Sequence, residues 1–319
     1  MAEILIGTCS WADPALIRSG RFYPEWARSA ESRLQFYASQ FPIVEVDSTY
    51  YALPDESTVR QWVERTPERF TFDVKAFRLL TQHPAPPQVL PQDIREALPI
   101  SVKGKASLYS RDVPRDLLDE LWDRFDRILL LLDSAGKLGI VLFQFPPWFY
   151  SGNEQRSYIL FCREKLPQYR IAVELRHNSW VNERNQPQTV SFLRHNDLPF
   201  VCVDEPQGFK SSIPPLAEAT ADIGLVRFHG RNRDTWEKPG IGPAERFNYL
   251  YTDEELGEWV PKIRELAGKT RQLHILFNNC YQDKAVMNAR QMGCLLTKEP
   301  RWLEKQDAGA KAEAGPQLV

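Results

Sequence analysis

No basic surplus runs through this 319-residue chain: 40 lysines and arginines meet 42 aspartates and glutamates, a formal net charge of −2. Holding nucleic acid or an anionic membrane by bulk electrostatics needs such a surplus, so neither is an expected partner, although a local basic patch is compatible with the total. Also missing is any apolar run approaching the roughly 18 to 20 residues of a membrane span. The first residues, MAEILIGTCSW, have neither a positive n-region nor a long apolar h-region, and the expectation is a cytoplasmic protein. The five cysteines, Cys9, Cys162, Cys202, Cys280 and Cys294, are odd in number, scattered and without a C-x-x-C pair. Free thiols are therefore expected. Cys202, in LPFVCVD, reads as a small core residue because no neighbouring base is apparent to activate it.

What the chain does contain is a repeated unit. Runs rich in β-branched and aromatic residues occur at 3–7, 42–48, 69–76, 139–146, 170–176, 199–204, 223–230 and 273–279. Between them helical spacing appears at 31–41, 55–65, 114–136, 153–166, 187–196, 252–267 and 283–296. Strands alternating with helices predict right-handed βαβ units, and eight such units predict a closed (β/α)8 barrel of TIM type. The expected organisation is one barrel domain over 1–303 with a long proline-bearing insertion at 84–112 after the third strand. Residues 205–222 read mostly as loop, and the polar, small-residue tail 304–319 as disordered.

Side chains two apart on a strand share a face. That rule groups Glu45 with Asp47, Asp73 with Lys75, Glu174 with Arg176, and Arg227 with His229. Gln144 ends the fourth strand, Asp204 the sixth, and Asn278 with Asn279 the eighth. In each case the apolar set suits the surrounding helices, which predicts that the polar set points into the barrel. Ordinary barrels fill their interior mainly with branched apolar side chains, and each buried ion costs several kcal/mol before pairing offsets part of it. So much charge at the C-terminal strand ends, where barrel chemistry is done, points to a functional site, with Asp47 and Asp73 as structural members. Trp11, Tyr50, Tyr51, Trp148, Phe149, Trp180 and Trp236 gather in the same loops and could wall a pocket. Arg231 and Arg233 follow the seventh strand, where barrels commonly hold phosphate.

These stretches, IGTCSW, VEVDSTYYALP, FTFDVKA, VLFQFPPWF, VELRHNSW, RFHGRN and LFNNCYQDKAVMNA, together resemble the DUF72 or YecE-like family. The resemblance runs from about residue 4 to about residue 296 and follows the strand ends just described. It implies a TIM barrel related to sugar isomerases and a site at those ends, and it supplies no reaction. The positions it carries over are Trp11, Glu45, Tyr50, Lys75, Gln144, Glu174, Arg176, His177, Arg227, His229 and Asn278. Cys9 stands where relatives often have another small residue, so its thiol is not expected to be required. The 84–112 insertion is longer than the family's usual loops.

Three functions remain open at this point. The first is a metal-independent enzyme acting by acid/base chemistry on a small anionic polar substrate, a sugar or sugar phosphate. Glu174 oriented by Arg176, or Glu45, would be its base, Lys75 or His229 would polarise the developing oxyanion, and Arg227 with Arg231 would hold the anion. Trp11, Tyr50, Gln144, His177, Asp204 and Asn278 complete the expected substrate contacts. No cofactor is expected in that case. The second is a divalent-metal isomerase or phosphoesterase with Glu45, Glu174, Asp204 and His229 as ligands to Mg²⁺ or Mn²⁺, or to Zn²⁺ if His177 joins; the cations nearby and the missing H-x-x-E and H-x-H spacings weigh against it. The third is a non-catalytic ligand-binding or nucleic-acid-binding protein.

Overall fold

A computed structural model describes residues 2–297. Eight strands, β1 (Glu3–Thr8), β2 (Ile43–Val46), β3 (Thr71–Lys75), β4 (Leu138–Gln144), β5 (Arg170–Glu174), β6 (Val201–Asp204), β7 (Ile223–Phe228) and β8 (Gln272–Phe277), run parallel in the order β5-β4-β3-β2-β1-β8-β7-β6. The two ends of that order meet at a thin seam. Val173 bridges Phe200 in parallel and donates its N–H to the Pro199 carbonyl at 2.9 Å. Eight parallel strands closing on themselves inside a ring of helices form the TIM-type barrel that the repeat predicts.

The helices form where apolar side chains recur at helical spacing. In Arg115–Ser134 the buried Leu121, Trp122, Phe125, Ile128, Leu129 and Leu132 make one stripe that faces the sheet. Ser29 starts Ala30–Gln40 with a capping box to Ser32. The expected helix at 252–267 is two pieces, Asp253–Gly257 and Val260–Lys269. Pro261 in the first turn of the second piece cannot donate the backbone bond that continuity requires. No described helix is long and apolar enough to cross a membrane.

The 84–112 insertion is more ordered than its prolines suggest. It carries two short helices, Gln92–Ala97 and Ile100–Lys103, and buries Leu90, Ile94, Leu98 and Leu108. Its ends are tied by the antiparallel bridge Ala85–Leu108. Residues 205–222 contain neither helix nor strand, as expected. The tail at 304–319 lies outside the described residues. Three short helices that spacing does not reveal, Pro14–Ser19, Ser48–Tyr51 and Pro243–Arg246, follow β1, β2 and β7 and surround the C-terminal mouth.

Candidate functional site

The barrel interior is charged from its lower layer upward. Asp73 is unexposed, accepts the Ile140 N–H at 2.7 Å and contacts His274 Nδ1 at 2.9 Å. Gly139 makes that pair possible, because a Cβ there would lie 2.3 Å from the Asp73 carboxylate and 2.9 Å from the imidazole.

Above it, Arg227 joins two carboxylates. Its Nε and Nη2 donate to Glu45 at 2.9 and 2.6 Å, and its Nη1 donates to Glu174. Nη2 also reaches Cys9 Sγ at 3.6 Å. Arg227, Glu45 and Glu174 have no exposed surface. Arg176 takes the other Glu174 oxygen through Nε at 2.6 Å, while its Nη1 donates to Glu205 at 2.8 Å and its Nη2 lies 3.1 Å from His229 Nε2. Glu205 in turn accepts the Ile213 N–H at 2.7 Å, and Asn278 contacts His229 Nδ1 at 2.9 Å.

The carboxyls of this layer differ in acidity for stated reasons. Burial pushes Glu45 up to about 7, against the pull of Arg227, and pushes Glu205 up to about 8, against Arg176. Burial acts the same way on Glu174, but Arg227 and Arg176 together outweigh it and hold Glu174 well below the usual carboxylate range. Burial and the Arg176 charge lower His229 to about 3, so its imidazole is neutral. Burial raises the Cys9 thiol well above its ordinary value, and it stays protonated.

A cavity of about 760 Å³ opens over this layer at the C-terminal mouth. Of the residues singled out by sequence, Trp11, Tyr50, Tyr51, Lys75, Gln144, Arg176 and Asn278 line it. Lys75 bonds Asp47 at 2.7 Å and lies 4.7 Å from the centre of the Tyr50 ring. Burial would lower its pKa, but Asp47 outweighs that and raises it, so the ammonium persists. Arg176 stacks at 5.2 Å over Trp236. Asp47 itself lines the cavity, whereas Asp73 is part of the lower layer. Phe149 and Trp180 stack on each other in the core, and Trp148 is exposed.

Several expected members stand elsewhere. Glu45, Glu174, Arg227 and His229 point inward but do not line the cavity. Asp204 does not point into the barrel. In β6 it is Val203, in register with Arg227, that faces inward, and Asp204 lies in register with the outward Phe228. There it accepts from Tyr251 Oη and Trp259 Nε1, both at 2.7 Å, and from Arg231 Nη2 at 2.8 Å. Arg231 is further bound to Glu258 at 2.8 Å, so this arginine, expected to hold an anion, is neutralised on the outer side of β6. His177 caps the short turn Asn178–Trp180, its Nδ1 accepting the Ser179 N–H, and its ring packs on Tyr150 at 4.4 Å. It does not line the cavity. Among the described residues no three His, Cys, Asp or Glu side chains are grouped to hold a metal ion. The set Glu45, Glu174, Asp204 and His229 does not converge, because the Arg227 guanidinium bridges Glu45 and Glu174 and Asp204 faces outward.

Sequence reasoning missed other cavity residues. His83 follows β3 in the stretch LLTQHP, and Arg246 and Phe247 come from the long loop after β7. His83 packs edge-on against Tyr50 at 5.3 Å, and burial with the charge of Lys75 lowers it to about 3. The available signal was weak: a rare residue, one of five histidines, in the segment that follows a barrel strand.

The chain matches, over residues 5–313, the family described as "Protein of unknown function DUF72". It is 34% identical over 300 residues to UPF0759 protein YunF of Bacillus subtilis, covering 93% of this chain and 95% of that protein. It is 25% identical over 225 residues to UPF0759 protein YecE of Escherichia coli, covering 65% and 71% respectively. A DUF72 family protein of Thermotoga maritima, solved by crystallography, superposes with a TM-score of 0.73 at 30% identity, over 93% of this chain and all of that one. Another, from Enterococcus faecalis, gives 0.73 at 26% identity over 93% and 96%. The chain belongs to the DUF72 family.

Proposed function

We propose that this DUF72 barrel binds a small anionic polyol, of the sugar phosphate class, in the mouth cavity and acts on it by acid/base chemistry. One observation carries the reading: the cavity is lined by a surplus of cations. Lys75, Arg176, Arg18 and Arg246 face it against Asp13 and Asp47. Beneath the floor, Glu45 and Glu205 are shifted toward the neutral acid, which weakens the internal balance to Arg227 and Arg176. Trp11, Tyr50 and Phe247 add ring faces on which a sugar can stack, and Gln144 and Asn278 add amides that both donate and accept.

In this reading Lys75 and Arg176 stabilise developing negative charge from a water-poor wall. Glu45, the carboxyl brought nearest neutrality, exchanges the proton, while the permanently ionised Glu174 orients Arg176. A second reading, ligand binding without turnover, draws on one observation: Glu45, Glu174 and His229 lie below the cavity surface.

Titration calorimetry with inorganic phosphate and a hexose phosphate tests the binding. Lys75→Met is expected to weaken both by at least about tenfold, the worth of one charge-assisted hydrogen bond. Absence of binding by any anion would sink both readings. Glu45→Gln separates them: the enzyme loses turnover and keeps affinity, whereas the pure binder converts no bound hexose phosphate in either form.

A further inference from the structure

Beside the main cavity lies a smaller lobe of about 220 Å³, and His83, Gln144, Arg176, Arg246 and Phe247 line both. The lobe is completed by Phe145, Pro147, Ser211 and Trp236. Its volume equals that of about seven liquid waters at ~30 Å³ each, room for one substituted ring. Aromatic and apolar faces form one part of its wall and hydrogen-bonding groups the other, which suits a ring with an apolar face and a polar edge.

The shared wall has spare hydrogen-bonding capacity of definite kinds. Arg176 donates one N–H to Glu174 and one to Glu205, and a third faces His229 Nε2 at 3.1 Å. A guanidinium has five, so two remain. Arg246 donates to the carbonyls of Thr235, Trp236 and Lys238 and has no carboxylate partner among the described residues. It too keeps two N–H groups, together with a charge that no acid balances.

His83 supplies the opposite polarity. Thr81 Oγ1 stands between the Arg78 carbonyl at 3.0 Å and His83 Nδ1 at 2.9 Å. With the hydroxyl proton on that carbonyl, Nδ1 carries the imidazole proton. Nε2 keeps its lone pair and has no recorded partner among the described residues, which leaves it to the cavity as an acceptor in need of a donor.

We infer that the side lobe takes a single hydroxylated ring, a sugar or other cyclic polyol, whose anionic substituent lies between Arg176 and Arg246 and whose hydroxyl donates to His83 Nε2. This rests on the anionic-ligand reading above and adds to it where the ring sits and which residue reads its hydroxyl. Because His83 is lowered to about 3, the acceptor stays unprotonated, and the hydroxyl preference is constant from pH 5 to pH 8.

Calorimetry with inorganic phosphate, cyclohexyl phosphate and glucose 1-phosphate tests it. The parent protein should bind the glucose ester at least tenfold more tightly than the cyclohexyl ester. His83→Phe keeps a ring of similar size, and it should erase that preference while leaving affinity for inorganic phosphate within threefold. Pro147→Trp, at an exposed position on the lobe's edge, should bring both ring-bearing esters toward the affinity of inorganic phosphate. Equal binding of the two esters by the parent, or a preference that survives His83→Phe, overturns the inference while the anion reading stands. Failure of inorganic phosphate and both esters to bind overturns the two together.

Discussion

Above the buried Asp73–His274 pair this barrel stacks two further charged layers, a lower and an upper, and they differ in what their charges face. In the lower layer Glu45, Arg227 and Glu174 face each other, with no surface left over. In the upper layer Lys75, Arg176 and Arg246 face a cavity and, in the two arginines, keep donors that no group among the described residues uses. A buried ion therefore does not itself mark the place where a ligand binds. The lower layer is a rigid support whose guanidinium, held by two carboxylates, fixes Glu174, which in turn holds Arg176. Geometry of this kind sets where the upper layer's charges point.

Breaking the lower layer should have the largest effect. Arg227→Met leaves the buried Glu45 without its bonded counter-charge and Glu174 with Arg176 alone, and the expected loss is about 3–5 kcal/mol in chemical denaturation. A loss below about 1 kcal/mol would mean that the two layers are not different in kind.

The pH dependence of stability sharpens the same contrast. Glu45 and Glu205 titrate higher in the folded chain, near 7 and near 8, than an unfolded glutamate at about 4.3. The folded state therefore binds the extra protons. Their stabilising contribution is complete below the unfolded value and is lost as pH rises through 7 and 8, at up to about 1.4 kcal/mol per pH unit per group. Glu174 has the opposite sign, and its contribution is lost as pH falls below the unfolded value. Glu205→Gln keeps an acceptor for the Ile213 N–H and should flatten the decline between pH 6 and pH 9. An unchanged slope would show that Glu205 does not carry the proton.

The smallest effect belongs to the outer side of β6. Arg231→Gln should cost about 1 kcal/mol, as partly exposed ion pairs do, because Asp204 keeps Tyr251 and Trp259. Phosphate affinity should be unchanged. A tenfold loss would return Arg231 to the ligand site.

Much of this was legible because strands have a strict period. The eight strands and most helices could be placed from alternation and spacing, and alternation set Glu45, Glu174, Arg176 and Arg227 inward. It failed at β6, where Val201 and Val203 face the interior and Asp204 is drawn outward by Tyr251, Trp259 and Arg231. Two of those partners lie some fifty residues along the chain, beyond any local pattern. Loops have no period at all, and so His83, Arg246 and Phe247 were invisible as cavity residues while His177, beside the strongest motif, read as one. The break before Pro261 was visible in principle, since proline in a helical pattern marks a start.

The most direct measurement is a crystal structure with a hexose phosphate bound. The anion is expected within hydrogen-bond reach of Lys75, Arg176 or Arg246, with the bonds from Arg227 to Glu45 and Glu174 intact. An anion seated on Arg231, or one that displaces Glu45 or Glu174 from Arg227, would contradict the division of the barrel into a self-contained lower layer and a ligand-binding upper one.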